Sequence, residues 1–283
     1  MTSYVSSLAG LSVGDVFPVR VMAVLNASPE SFYKGSVHTN LDRLVEAAQV
    51  LVSEGADIID IGAMSTAPYL KTHISPEGET ERLARAVEAV ASRVTVPVSA
   101  DTQRAQPARA ALAAGARIIN DVSGLKHDPT MAELIARSGA GVIVMANETT
   151  LGTGTPLDRI KTALLESLEI AAQAGIPQDR IVLDSGIGFF RQPGIPWDEW
   201  DCTVLRELPN LRSFGLPLLV GVSRKSFIGK ILGQPDAADR LIGSLTCAAI
   251  AVYNGVHVIR AHDVKETVQA VRLAERVRPR LSP

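Results

Sequence analysis

The feature that most constrains this chain is a regular alternation, running from end to end, of short β-branched apolar runs with longer stretches of helical period. Such alternation marks repeated βα units around a parallel sheet. About eight units can be counted. Strands are expected over 19–26, 57–62, 96–101, 117–121, 141–145, 180–184, 217–222 and 256–261. Most are almost wholly apolar, as parallel strands covered on both faces must be.

The helices between them carry ordinary end signals. Asn40 can cap a helix whose apolar stripe runs Leu41, Leu44, Val45, Ala48, Leu51 and Val52, with Gly55 as its stop. Ser75-Pro76 and Asp128-Pro129 each place a cap before an N1 proline, and Asp263 with Glu266 can form a capping box. Gly-Ala-Asp-Ile-Ile from Gly55, Gly-Ala-Arg-Ile-Ile from Gly115 and Gly-Val-His-Val-Ile from Gly255 repeat one helix-to-strand transition. That echo favours a closed (β/α)8 barrel, the TIM-barrel architecture. The alternative, an open doubly wound sheet, would need a glycine-rich fingerprint after the first strand, and none is there. One domain is expected over 1–283, with 1–16 a short N-terminal extension.

Lys+Arg number 28 against Asp+Glu 30, a formal net charge of -2, so no polyanionic partner such as nucleic acid is indicated. Cys202 and Cys247 fit neither a zinc pattern nor a disulfide scaffold, which points to a reducing cytoplasm. No targeting leader and no membrane-spanning run is expected.

In barrels of this kind the loops after the strands carry the chemistry. Here those positions are Asn26; Ser65 and Thr66; Asp101; Asn120 and Asp121; Asn147; Asp184; Ser223, Arg224, Lys225 and Ser226; and Arg260, His262 and Asp263. Any one of them alone reads as a cap or a turn, Asp263 above all, but their convergence on one rim reads as a binding site. Asp101, Asn120, Asp184 and Lys225 suit a flat heterocycle rich in donors and acceptors. Arg260, His262, Asn26 and Thr66 suit a phosphate and its metal. Strand alternation aims Arg260 and His262 to one side, and the Asn26 amide oxygen fits Mg²⁺.

The motifs Asn26-Ala-Ser-Pro-Glu-Ser-Phe32, Asp60-Ile-Gly62 with Ser65-Thr66, Val98-Ser-Ala-Asp101, Asn120-Asp-Val-Ser-Gly124, Leu183-Asp-Ser-Gly-Ile-Gly-Phe189, Ser223-Arg-Lys-Ser-Phe227 and Arg260-Ala-His-Asp263 together resemble dihydropteroate synthase. That family joins a hydroxymethyl-dihydropterin pyrophosphate to an arylamine and releases pyrophosphate, in folate synthesis. The resemblance implies that Asp101, Asn120, Asp184 and Lys225, with Met145 and Phe189, hold the pterin. It places Asn26, Thr66, Arg260 and His262 on the pyrophosphate with Mg²⁺, Asn26 being the metal ligand. It sets Phe190, Ser226 and Pro68 beside the arylamine, and makes Asp101, Lys225, Arg260 and His262 the catalytic set. A homodimer is implied as well.

The chain departs from the family pattern at Lys34, Met64, Ala67, Ala146 and Ser185. Lys34 stands for an acidic residue and Ala67 for an arginine, so Lys34 is expected to supply the charge lost at Ala67. These altered lids resemble archaeal-type relatives, some serving methanopterin synthesis with a ribosyl-phosphate arylamine. Two other functions share the pterin groups. A pterin-dependent methyltransferase acting on a corrinoid protein has no pyrophosphate to discharge, so Ser223-Arg-Lys-Ser and Arg260-x-His262 would be superfluous in it. A non-catalytic pterin-binding paralogue would keep the ring pocket alone.

Overall fold

A computed structural model describes residues 4–27, 40–63, 74–150, 152–190 and 194–279. A two-stranded hairpin comes first, β1 (Val5–Leu8) and β2 (Leu11–Gly14). The repeating units follow as β3 (Arg20–Asn26), α1 (Leu41–Ser53), β4 (Ile58–Gly62), α2 (Pro76–Ala91), β5 (Val98–Asp101), α3 (Ala105–Ala113), β6 (Ile118–Asp121), α4 (Met131–Ser138), β7 (Gly141–Met145) and α5 (Pro156–Gln173). The remainder is β8 (Ile181–Asp184), α6 (Trp197–Glu207), β9 (Leu218–Val220), α7 (Ser226–Leu232), α8 (Leu241–Tyr253), β10 (Val258–Ala261) and α9 (Val264–Val277). Strands β3 to β10 are parallel and close on themselves, β10 pairing with both β3 and β9. The expected eightfold barrel is therefore the observed one.

Alternation along each strand decides what fills the barrel. At its lower end Met22, Ile58, Ile118, Ile143, Val182, Leu219 and Val258 form one buried apolar cluster. Two residues further along, the same inward face carries Asp60, Asn120, Met145, Asp184 and Arg260. The interior thus changes from hydrocarbon to charge within one layer.

The N-terminal stretch, read from sequence as a mere extension, is the floor of this cluster. Leu8 and Val13 join it, and Ser6 Oγ donates to the Ile181 carbonyl at 2.8 Å. Ala9 and Gly10 turn the hairpin with φ of 55° and 85°, the mirror-image turn that suits tight hairpins. A Cβ at Gly141 would come within 2.9 Å of Leu8, so glycine there lets the hairpin seat. Asp15 ties the plug down by accepting from Arg212 at 2.9 Å and pairing with His257 Nε2 at 3.0 Å. His257 Nδ1 accepts from Leu218 N at 3.0 Å, so the ring proton sits on Nε2 and points to Asp15.

Asn40 and Ser75 cap α1 and α2 as expected, accepting from Asp42 N at 2.8 Å and Gly78 N at 3.0 Å. One expected cap is shifted and one is not made. Helix α4 begins at Met131, and the Asp128 carboxylate accepts from Thr130 N at 3.0 Å at its entry through one oxygen and from Ala105 N at 2.8 Å, at the start of α3, through the other. Asp263 precedes α9 but makes no side-chain cap; its carboxylate is taken by Arg224. A long cation outcompetes a backbone N–H for a carboxylate when both lie in reach, since two parallel charge-assisted bonds form at once. Among the described residues no helix is long and apolar enough to cross a membrane.

Candidate active site

The strand ends are brought side by side by register: Asn26 pairs with Gly62, Gly62 with Asp101, and Asp101 with Asn120. Across the mouth, Met145 pairs with Asp184. Glycine at 62 keeps this rim tight, because a Cβ there would lie 3.3 Å from Asn26 Oδ1 and 3.9 Å from Asp101 Oδ2.

At the centre Arg260 bridges two carboxylates. Its Nε donates to Asp60 Oδ2 at 2.7 Å and its Nη2 to Asp101 Oδ2 at 2.8 Å. Asn120 Nδ2 donates to the same Asp60 oxygen at 3.1 Å. Asp60 is wholly buried, an expensive place for a carboxylate without such partners. The other oxygens, Oδ1 of Asp60, Asp101 and Asn120, are buried acceptors with no donor among the described residues. Buried acceptors of that kind mark a place built for a donor-bearing ligand.

Burial pushes the Asp101 carboxyl up to about 7, with Arg260 opposing the rise and Asp60 adding to it. Burial also raises Asp184, against the opposing hydrogen bond from Gly186 N at 2.9 Å and the charge of Lys225. The Lys225 ammonium lies 4.4 Å from the centre of the Phe189 ring. Gly188 makes room for it, since a Cβ there would meet Lys225 Cδ at 2.8 Å.

His262 stands beside this cluster, its Nδ1 2.9 Å from Ser223 Oγ, which also accepts from His262 N at 3.2 Å. Burial, then the charges of Arg260, Arg224 and Lys225, push His262 down to about 3, so the imidazole is neutral near pH 7. It acts as a hydrogen-bonding group rather than a cation. Among the described residues no group of three His, Cys, Asp or Glu could hold a metal.

Residues 22–262 match the family of pterin binding enzymes. A dihydropteroate synthase of Escherichia coli K12 is 38% identical over 268 residues, covering 92% of this chain and 92% of that one. The Yersinia pestis dihydropteroate synthase solved with a sulfonamide drug superimposes with a TM-score of 0.87 at 36% identity, covering 97% of this chain and 98% of that chain. The Xanthomonas albilineans dihydropteroate synthase solved with 4-aminobenzoic acid has a TM-score of 0.86 at 32% identity, covering 100% of both. The chain belongs to the dihydropteroate synthase family.

For a dihydropteroate synthase mouth the strand-end residues now sort themselves. Asn26, Asp101, Asn120, Met145, Asp184, Arg260 and His262 come from strands or strand ends around one opening, with Lys225 and Phe189 paired in the loops beside it. Ser226 opens α7 next to Lys225. Thr66 and Pro68, like Lys34, Met64 and Ala67, lie outside the described residues. Phe190, expected at the arylamine slot, is buried and stacked on Trp200 of α6 at 4.9 Å, with Arg159 over the other ring of that stack. The ring is part of the buried core that joins the barrel to α6. Asp121 accepts from Ser123 N at 2.7 Å and Leu125 N at 3.2 Å, and Asn147 donates to the Val122 carbonyl at 3.1 Å, so both shape turns.

Asp60 is not among the groups that the strand-end pattern singles out, since it lies before the end of β4. Its signal is a lone carboxylate inside the apolar run Ile58-Ile-Asp-Ile61. Arg224 is likewise no mouth residue; its guanidinium turns away to Asp263.

Proposed function

We propose that this chain is a transferase that condenses 6-hydroxymethyl-7,8-dihydropterin pyrophosphate with 4-aminobenzoate, releasing pyrophosphate, in folate biosynthesis. The observation that carries the reading is the trio of buried Oδ1 acceptors on Asp60, Asp101 and Asn120, set around Arg260 in the mouth of a dihydropteroate synthase barrel. A pterin edge presents amide and amino N–H groups in one plane, the complement of such a set. 4-Aminobenzoate is preferred to a ribosyl-phosphate analogue because the matched Xanthomonas structure holds 4-aminobenzoic acid and the matched relatives include bacterial synthases.

In this reading Asp101, Asn120, Asp184 and Lys225 orient the pterin, while Met145 and Phe189 wall it. Arg260 and the neutral His262, with Thr66, hold the pyrophosphate, whose charge grows as its C–O bond breaks. The Asp101 carboxylate stabilises the positive charge left on the pterin methylene, and the arylamine nitrogen attacks it without a nucleophile on the protein. Asn26, its amide oxygen near the Asp101 carboxylate across Gly62, is a hard-oxygen donor fit for Mg²⁺, which binds few protein groups and completes its shell on phosphates. Bound there, Mg²⁺ supplies positive charge to the leaving group. Ser226, and by the family resemblance Pro68, serve the arylamine in this reading.

Exposed apolar side chains on α7 and α8, Ile231, Leu232, Ile242, Ile250 and Tyr253, support a homodimer through that face, measurable by sedimentation velocity. A cytoplasmic setting fits the two free cysteines.

The test is to incubate the protein with the dihydropterin pyrophosphate, Mg²⁺ and either 4-aminobenzoate or its ribosyl-phosphate analogue, measuring pyrophosphate and coupled product. Product with 4-aminobenzoate is expected. Product with the analogue alone moves the chain to methanopterin synthesis, and none with either amine overturns the transferase.

A further inference from the structure

The two motifs that flank the phosphate side of the mouth are joined behind it. Arg224, between Ser223 and Lys225, and Asp263, next to His262, form a two-pronged ion pair: Nε to Oδ2 at 2.9 Å and Nη2 to Oδ1 at 2.7 Å. The guanidinium side chain is 5% exposed and the carboxylate 16%, so water screens the pair little. The third arm, Nη1, donates to the carbonyls of Ala237 and Ala238 at 2.7 Å each.

The Arg224 backbone is held as firmly as its side chain. Its N–H donates to Ser244 Oγ at 2.8 Å, and its carbonyl accepts from Arg240 Nη1 at 3.1 Å. Its φ is +55°, a left-handed conformation that a non-glycine residue keeps only where its surroundings over-determine it. That turn directs Ser223 to one side, where its Oγ meets His262, and Lys225 to the other, where its ammonium meets Phe189.

We propose that the Arg224–Asp263 pair is a positioning clamp that sets the distance between the pterin-holding Lys225 and the pyrophosphate-side pair Ser223 and His262. Neither clamp residue touches substrate; each acts through its chain neighbours. The proposal rests on the function given above, since it takes Lys225 and His262 to serve two ends of one ligand. A ligand that spans two half-sites senses their separation, and a displacement of an ångström there costs as much as 100-fold, roughly, in rate. A ligand that fills only one half-site does not sense it.

Asp263→Asn keeps the shape and removes the charge, and Arg224→Lys keeps the charge and removes the fork. Three probes are titrated calorimetrically with Mg²⁺ into wild type and both variants: 6-hydroxymethylpterin, inorganic pyrophosphate, and the dihydropterin pyrophosphate that links them. The expected result is a loss of about tenfold or more for the linked ligand, with less than about threefold for either half. In turnover, kcat falls and KM for the pterin substrate rises, while KM for 4-aminobenzoate is unchanged. Equal losses for all three probes, or a lowered melting temperature with unchanged affinities and kinetics, would overturn the clamp. Wild type that binds the linked ligand without turning over removes the transferase reading and leaves the binding comparison to decide the clamp. Wild type that binds none of the three overturns both.

Discussion

Arg260 stands between Asp60 and Asp101, 2.7 Å from one carboxylate and 2.8 Å from the other, inside a barrel whose lower layer is hydrocarbon. The two acids face one cation, Asp60 wholly buried and Asp101 nearly so, and both hold the arginine in place.

Removing one of the two charges tests that hold. Asp60→Asn removes the charged partner of Arg260 Nε, and the half-buried guanidinium loses its fixed orientation. A fall in kcat/KM of about 100-fold is expected, carried by kcat, with a fold that remains intact by circular dichroism. Pyrophosphate-release kinetics measure it; a change below twofold would show that Asp60 serves stability alone.

Asp101 should trade stability for function. Its carboxyl lies near 7 in the folded chain against 3.8 ordinarily, so the native state holds a proton that the unfolded chain has lost between those values. Its contribution to stability is therefore fully present below about pH 4 and is lost as pH rises through 7. Asp101→Asn should be more stable than wild type by as much as about 4 kcal/mol at pH 8, equal to it at pH 4, and inactive. Urea melts across that range decide the matter, and an unchanged difference at both pH values would contradict it.

His262 is neutral in the free protein, its pKa near 3; in the proposed function a bound pyrophosphate would bring negative charge beside it. The anion favours the protonated ring, so binding takes up protons and strengthens as pH falls through the bound-state value. Calorimetry in buffers of differing ionisation enthalpy reads the proton uptake directly. His262→Gln should abolish it, and uptake that survives the substitution would assign the proton elsewhere.

The hairpin floor should matter for stability and not for chemistry. Leu8 is fully buried in the lower cluster, so Leu8→Ala should cost about 3 kcal/mol in denaturant melts. The kinetic constants of the remaining folded enzyme should match wild type. A cost under about 1 kcal/mol would mean that the cluster collapses to fill the gap.

The eight strands are legible because each is an apolar run with its own boundaries, and the observed ends fall within two residues of the expected ones at every strand of the barrel. Asp101, Asn120, Asp184 and Arg260 are legible because a polar group at the end of such a run stands out, and repetition of βα units puts all those ends on one rim. The hairpin is not, since four-residue strands around Ala9-Gly10 have too few positions to show a period. The partners of Phe189 and Phe190 are not legible either: nothing local says that one ring meets Lys225 and the other Trp200.

The sequence by itself determined the barrel, its family and the residue types at its mouth, because strand periodicity and motif order are local properties of the chain. Only the tertiary structure decided how those residues are paired. Asp60 lies 200 positions from Arg260, and Arg224 is 39 positions from Asp263; which carboxylate each arginine takes depends on barrel closure and register. A cap and a clamp carry the same aspartate in sequence, and the difference between them is the distance to a guanidinium in the loop after another strand.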